Sequence, residues 1–185
     1  NRLDLLSRKF IAFHVSGGTT EALLVSPAEI GFKTEIIAKT LDLHLGQVID
    51  RVGVKLGLAF PSGEELEKLA MVGTVSKKIK PCIKGCDCAL SGVENICEKM
   101  IAAGENKEDI AAFTLMFAAE TLCQMTVKIK EKYEDLPIVY SGGVMADNII
   151  KNKLKTITNA DFASVELSGD NAVGVALLAK ISLEK

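Results

Sequence analysis

The sequence has no tryptophan, and aromatic residues make up only 5% of it. Its core must therefore be aliphatic. Histidine occurs twice, as His14 and His44, so any serine or cysteine triad has to use one of those two. There is no G-x-x-x-x-G-K-[ST] and no G-x-G-x-x-G, which disfavours P-loop and Rossmann nucleotide sites. No G-x-S-x-G elbow surrounds Ser16 or Ser91. No apolar run reaches the length of a membrane helix, so no membrane partner is expected. A charged start followed by an apolar stretch and a small-residue cleavage site is also missing. The charge is nearly balanced, with 22 basic against 24 acidic residues and a net charge of −2. The one basic cluster, Ser76–Lys84, reads as a solvated loop, so composition gives no support for tight nucleic-acid binding.

Cysteine is scarce and unpaired in pattern. Cys82, Cys86 and Cys88 crowd together, Cys97 and Cys123 stand apart, and neither histidine lies near. Structural zinc needs two well-spaced pairs or a pair plus histidines. Reduced thiols in a cytoplasmic protein are the expectation.

What is present is ordinary for a globular domain: 185 residues, 48% hydrophobic and 25% charged. A chain of this length buries roughly 70% of its unfolded surface. Phe10–Val15 and Thr20–Ser26 are apolar runs flanking Gly17-Gly18, which reads as a β-hairpin. Phe32–Thr40 reads as a third strand. The period then changes, and Leu45, Val48, Ile49, Val52 and Leu56 repeat at helical spacing. Ser62 is placed to cap a second helix, with Glu64 and Glu65 in its first turn. Gly73–Gly85 reads as loop, Cys86–Leu90 as a short strand and Val93–Ala103 as a helix. The longest helix starts at Asn106 and runs to about Lys132, with Phe and Met residues as core fillers. Strand Leu136–Tyr140, helix Ala146–Ile157, strand Asp161–Leu167 and helix Asn171–Ser182 complete the order. With the block 43–103 set aside as a helical insertion, one domain of order βββ-α-β-α-β-α remains. That is the ribonuclease-H-like core of actin-like ATPases, and three strands before any helix argue against a doubly wound sheet.

Three glycine-rich junctions carry the candidate chemistry. In His14–Glu21, HVSGGTTE, the glycine pair admits a ligand close to backbone, N–H groups can face phosphate oxygens, and Ser16, Thr19 and Thr20 add hydroxyls. A plain type I′ turn is the alternative. In Tyr140–Asn148, YSGGVMADN, a strand runs into Gly142-Gly143 and then a helix N-terminus, the usual place for an anion. A glycine-rich turn without a ligand is the alternative there. In Ser168–Ala176, SGDNAVGVA, Asp170 is either a helix cap or a carboxylate for a metal. Asp50, with Gly46 and Pro61–Gly63, forms a fourth group; its plain reading is a solvated helix face beside Arg51 or Lys55.

Taken together, the motifs resemble those of the glycoprotease family, whose best-understood members are TsaD-type threonylcarbamoyl transferases. The family's VSGGHT is similar to VSGGTT here, and its DDxxGEAFDK to Asp42–Arg51, DLHLGQVIDR. Its LGLxYPGGPxxxxLA resembles Leu56–Ala70, LGLAFPSGEELEKLA, and its DFSFSGLKT resembles Asp87–Asn95, DCALSGVEN. Its GGVAAN resembles Gly142–Asp147, GGVMAD, and its TDNxAMIA resembles Gly169–Ala176, GDNAVGVA. The resemblance implies an actin-like ATPase fold and transfer of a threonylcarbamoyl group from its adenylate to an adenosine of transfer RNA. Older usage called the family O-sialoglycoprotein endopeptidases. It implies an adenine nucleotide, ATP or threonylcarbamoyl-adenylate, gripped by His14, Val15, Ser16, Gly17, Gly18, Asp50 and Gly63, with Asp147 at the family asparagine. It implies iron or zinc in full-length members, with Asp170 as one ligand and an H-x-x-x-H pair in an N-terminal half. Thr19 stands where the family has histidine, and Ser62 where it has glycine. The expected partners are an N-terminal domain, TsaB-like and TsaE-like subunits, and transfer RNA. The expectation is a C-terminal half of such an enzyme; a non-catalytic nucleotide-binding or scaffold paralogue is the alternative.

Overall fold

The computed structural model describes residues 2–29, 31–164, 166, 168 and 172–183. A 3-10 turn, Leu3–Ser7, leads into β1 (Phe10–Val15), β2 (Thr20–Pro27) and β3 (Phe32–Lys39). Next come α1 (Leu45–Lys55), α2 (Gly63–Ala70), β4 (Cys82–Lys84), β5 (Asp87–Ala89), α3 (Ser91–Ala102) and α4 (Lys107–Lys130). They are followed by β6 (Ile138–Ser141), a 3-10 turn at Gly143–Ala146, α5 (Asn148–Lys155), β7 (Asp161–Phe162) and α6 (Ala172–Leu183).

One five-stranded sheet runs in the order β3-β2-β1-β6-β7. β1–β2 and β2–β3 are antiparallel, while β1–β6 and β6–β7 are parallel. This is the expected ribonuclease-H-like, actin-like ATPase arrangement. The change of direction at β1 matters for function. The parallel β6 beside β1 puts the two carboxyl ends, Val15 and Ser141, side by side.

Ile11, Phe13 and Val15 alternate with partly exposed residues along β1 and are fully buried. Phe13 stacks on Tyr140 at 4.7 Å, and the Tyr140 hydroxyl hydrogen-bonds Thr126 of α4, so α4 covers this face of the sheet. Burying each such apolar side chain stabilises the fold by about 1.5–3 kcal/mol. Helix α4 is the one described helix long and apolar enough to cross a membrane, but most of it is buried in this core. Its buried Thr114, Thr121 and Thr126 each donate to the carbonyl four residues back, so no hydroxyl is stranded.

Several expectations need correction. The block 43–103 holds a second strand besides the expected one, because β4 lies where a loop was expected and pairs with β5. Three-residue strands are too short to show a period. The strand expected over Asp161–Leu167 ends at Phe162. Beyond it, Glu166 and Ser168 are helical, and Ser168 Oγ donates to Ser164 O at 2.9 Å, the back-bond of a helical turn. Ser62 sits at the N-terminus of α2, but its hydroxyl does not cap the helix. It is fully buried and donates instead to Asp50 O at 3.0 Å. All five cysteines are free thiols. Burial pushes Cys88 and Cys123 up to about 11, which makes both poor nucleophiles at neutral pH.

Candidate functional site

The first glycine junction is a four-residue loop, not a two-residue turn. Ser16 N–H donates to Thr19 O at 2.7 Å, and Gly18 N–H to Ser16 Oγ at 3.3 Å. Neither Gly17 nor Gly18 has a positive φ, which rules out type I′. Both glycines are exposed, and a Cβ at either would meet nothing within 4 Å. A ligand can therefore reach the backbone here.

Helix α1 is pressed against the back of this loop. Gly46 N–H donates to Ser16 O at 3.2 Å, and a Cβ on Gly46 would stand 2.6 Å from Gly17 N. Only glycine allows that approach. Leu45 N–H donates to Thr20 Oγ1 at 2.8 Å. Thr20 is thus buried and spent on the helix, not free to meet a phosphate as the sequence had suggested. The positive end of the α1 dipole comes to the hairpin, which favours an anion there.

The second junction differs from expectation. Gly142-Gly143 leads into a 3-10 turn, and α5 begins only at Asn148. The Asp147 carboxylate closes that helix end, accepting from Ile150 N–H at 2.9 Å, and Glu67 Oε1 accepts from Asn148 N–H at 2.8 Å. The α5 N-terminus is therefore occupied by the chain's own carboxylates and is not an open anion site.

Between the two junctions lies a cleft of about 560 Å³. Gly17, Asp50, Gly63 and Asp147 of the expected binding residues line it, together with Gly46, Glu64, Glu67 and Gly143. The other four do not line it. Val15 is fully buried in the core, Ser16 and Gly18 belong to the adjoining loop, and His14 turns to Ser141. Ser141 Oγ donates to Phe13 O at 3.1 Å, so it accepts from His14 Nδ1–H at 3.3 Å. Asp50 is fixed by Ser62, whose N–H donates to Oδ1 at 2.8 Å. The family-glycine position fits Ser62 because Gly53 leaves room: a Cβ on Gly53 would lie 2.3 Å from Ser62 Oγ. Asp50 does not pair with Arg51 or Lys55. These bind Glu94 at 3.1 and 2.6 Å and join α1 to α3.

The cleft is acidic. Burial pushes Asp147 up to about 6, helped by the charge of Glu67 and opposed by the Ile150 and Ile149 amides and by Lys151. Glu64 and Glu67 had been read only as helix-end charges, if at all. Their spacing of three on α2 places both on one face, and that signal was available. The contacts of Gly46 and Gly142 had no such signal, since they are made between distant elements. Asp170, expected as a metal ligand, lies outside the described residues. Among the described residues no three His, Cys, Asp or Glu side chains gather to hold a metal ion.

A family model for tRNA N6-adenosine threonylcarbamoyltransferase, TsaD, matches residues 5–177. A Thermococcus sibiricus protein of that name is 31% identical over 149 residues, covering 80% of this chain and 45% of its own length. A probable bifunctional tRNA threonylcarbamoyladenosine biosynthesis protein of Methanocaldococcus jannaschii is 29% identical, covering 91% and 32%. This chain thus spans about half the length, or less, of these curated relatives. Among solved structures, full-length HypF in its phosphate- and nucleotide-bound form superposes with a TM-score of 0.74 at 14% identity, over 97% of this chain and 34% of its own. The Acidaminococcus fermentans (R)-2-hydroxyglutaryl-CoA dehydratase component A gives 0.56 at 16%, over 95% and 63%. The fold is shared with these proteins, and the sequence match from residue 5 to residue 177 shows that the chain belongs to the TsaD family of tRNA N6-adenosine threonylcarbamoyltransferases.

Proposed function

We propose that this chain is the C-terminal, nucleotide-binding half of a threonylcarbamoyl-transfer enzyme acting on transfer RNA. One observation carries the reading. An open glycine loop, backed by the N-terminus of α1, borders a cleft lined by Asp50, Gly63 and Asp147. Loop amides and a helix dipole suit the phosphates of ATP or of threonylcarbamoyl-adenylate. The acidic cleft suits the nucleoside end, whose ribose hydroxyls and base amino group donate hydrogen bonds. Ligands of actin-like folds lie between two halves, so this half alone grips without completing a reaction. TsaB-like and TsaE-like subunits and transfer RNA are the partners this reading brings, in the cytoplasm. The iron or zinc of the family would take Asp170 together with ligands from the other half.

A non-catalytic paralogue is the second reading. Thr19 at the hairpin histidine position and Asp147 at the asparagine position favour it. Calorimetric titration with ATP and magnesium tests the first: binding is expected, and no heat at millimolar nucleotide would sink it. Gly17→Val should abolish the heat, because a branched side chain then fills the space the phosphate needs.

A further inference from the structure

β3 is an outer strand of the sheet: β2 pairs with one side of it, and among the described residues no strand runs along the other. Part of that outer edge is already closed. The Asp87 carboxylate of β5 accepts from Lys39 N–H at 2.8 Å, and Leu41 N–H donates to Cys88 O at 2.8 Å. The β4–β5 hairpin thus covers the end of the edge and leaves residues 32–38 open. Unpaired backbone on a strand edge invites another strand, and charged side chains usually prevent it. Here Lys33, Thr34, Glu35 and Ile36 are all exposed, Ile36 to 54%. Among the described residues neither Lys33 nor Glu35 has a hydrogen-bond or ion-pair partner. The two charges have opposite signs and lie two apart, on one face of the strand.

We propose that a second copy of this chain pairs antiparallel along this edge, centred on Thr34, so that the two sheets join into one. Antiparallel copies related by a twofold axis keep like faces together, so the axis must pass beside a single residue. Charge then chooses among the registers, since like charges directly opposite destabilise a pair of strands. Centring on Lys33 or on Glu35 sets that residue against its own copy. Centring on Ile36 sets Lys33 against Lys39. Centring on Ile37 needs the edge at Lys39, which Asp87 holds. Centring on Phe32 runs the strands off at the turn where Ala28 N–H donates to Gly31 O. Centring on Thr34 sets Lys33 against Glu35 of the other copy twice. It also sets Phe32 against Ile36 twice, which covers the exposed Ile36. Pairing then spans residues 31–37 and stops short of Lys39, where the hairpin begins.

Sedimentation equilibrium of the whole chain, from about 1 to about 500 μM, tests this. So short an edge makes a small interface, and association should be half complete at about 10–100 μM. Lys33→Glu and Glu35→Lys should each weaken association by about tenfold or more, because each sets like charges opposite one another in this register. An equimolar mixture of the two variants should associate again, since an all-acidic edge then faces an all-basic one. Both side chains are exposed, so each variant should melt as the parent does. A parent that stays monomeric over the whole range overturns the proposal. So does a dimer that both single variants leave intact, which places the contact on another surface, such as the exposed Val175 and Leu177 of α6. A mixture no more associated than its two components overturns the register, and the proposal with it.

Discussion

The chain uses the same tripeptide twice at neighbouring strand ends, Ser16-Gly17-Gly18 just after β1 and Ser141-Gly142-Gly143 starting on the last residue of β6. In the first, neither glycine has positive φ and neither faces a neighbour within 4 Å. In the second, Gly142 has φ +99°, and a Cβ there would stand 2.3 Å from Val15 O. Gly142 is glycine because the fold requires it; Gly17, Gly18 and Gly143, where a Cβ would meet nothing within 4 Å, are glycine where the fold does not. A residue kept small without a packing reason is where a ligand's requirement shows.

The comparison breaks most easily at Gly142. Gly142→Ala combines a strained φ with a collision against rigid backbone of β1. Strain and overpacking together should cost about 3–5 kcal/mol, a large part of a domain's stability. Urea denaturation checks this. A loss under 1 kcal/mol would mean that β6 can shift away from β1, and the contrast between the two junctions would fail.

Five residues on, Asp147 sharpens the same junction. Its folded pKa, about 6, lies above the ordinary 3.8, so ionising it costs the folded state. Stability from this group is full below about pH 4 and is lost as pH rises through 6. Asp147→Asn should therefore gain on the parent across that window. That rise bounds the gain at about 3 kcal/mol, and the weaker hydrogen bonds accepted by an amide at the helix cap reduce it to about 1–2. Thermal melts at pH 4 and pH 7 read the difference; no change in ranking between them would contradict the burial assigned to this carboxyl.

These contrasts divide what could be read from the chain. Strand order and the helical periods follow from local pattern, because alternation and glycine placement are local quantities, whereas Asp50, Gly63 and Asp147 are reached as cleft residues only through the family resemblance. Which helix brings its N-terminus to the ligand does not. The sequence pointed to the helix after Gly142-Gly143, yet α5 is closed by Asp147 and α1 meets the hairpin instead. That outcome depends on Gly46 meeting Ser16 across thirty positions, a contact with no local signature. Ser62 was misread for the same reason. Its partner is Asp50, and the room for it is made by Gly53.

The placement of α1 behind the first junction depends on Asp42. Its carboxylate accepts from Leu43 N–H and Leu90 N–H, each at 2.7 Å, and from Ser91 Oγ at 2.7 Å. Partial burial opposes the charge, but these donors prevail and hold Asp42 at about 2. The stability it contributes is present above pH 4 and is lost as pH falls towards 2. The residue is exposed, so solvent screening reduces the effect to about 1 kcal/mol. Asp42→Asn should be weaker than the parent by that amount at pH 7 and should converge with it at pH 2–3. A constant difference at all pH values would mean that its shape, not its charge, ties α3 to the entry of α1.

The smallest expected effect on folding is at Gly17, and it is the most informative. An added Cβ meets open space and no special φ is needed, so Gly17→Ala should change stability by no more than about 0.5–1 kcal/mol, with a gain expected from the stiffer unfolded chain. If the glycine serves a ligand, nucleotide affinity should still fall by about tenfold or more, because a phosphate held by loop amides tolerates no methyl between them. Stability and affinity measured on the same preparation separate the two causes. Loss of both would make Gly17 a structural glycine like Gly142. Loss of neither would leave the first junction a surface turn, and the nucleotide would have to be sought elsewhere in the cleft.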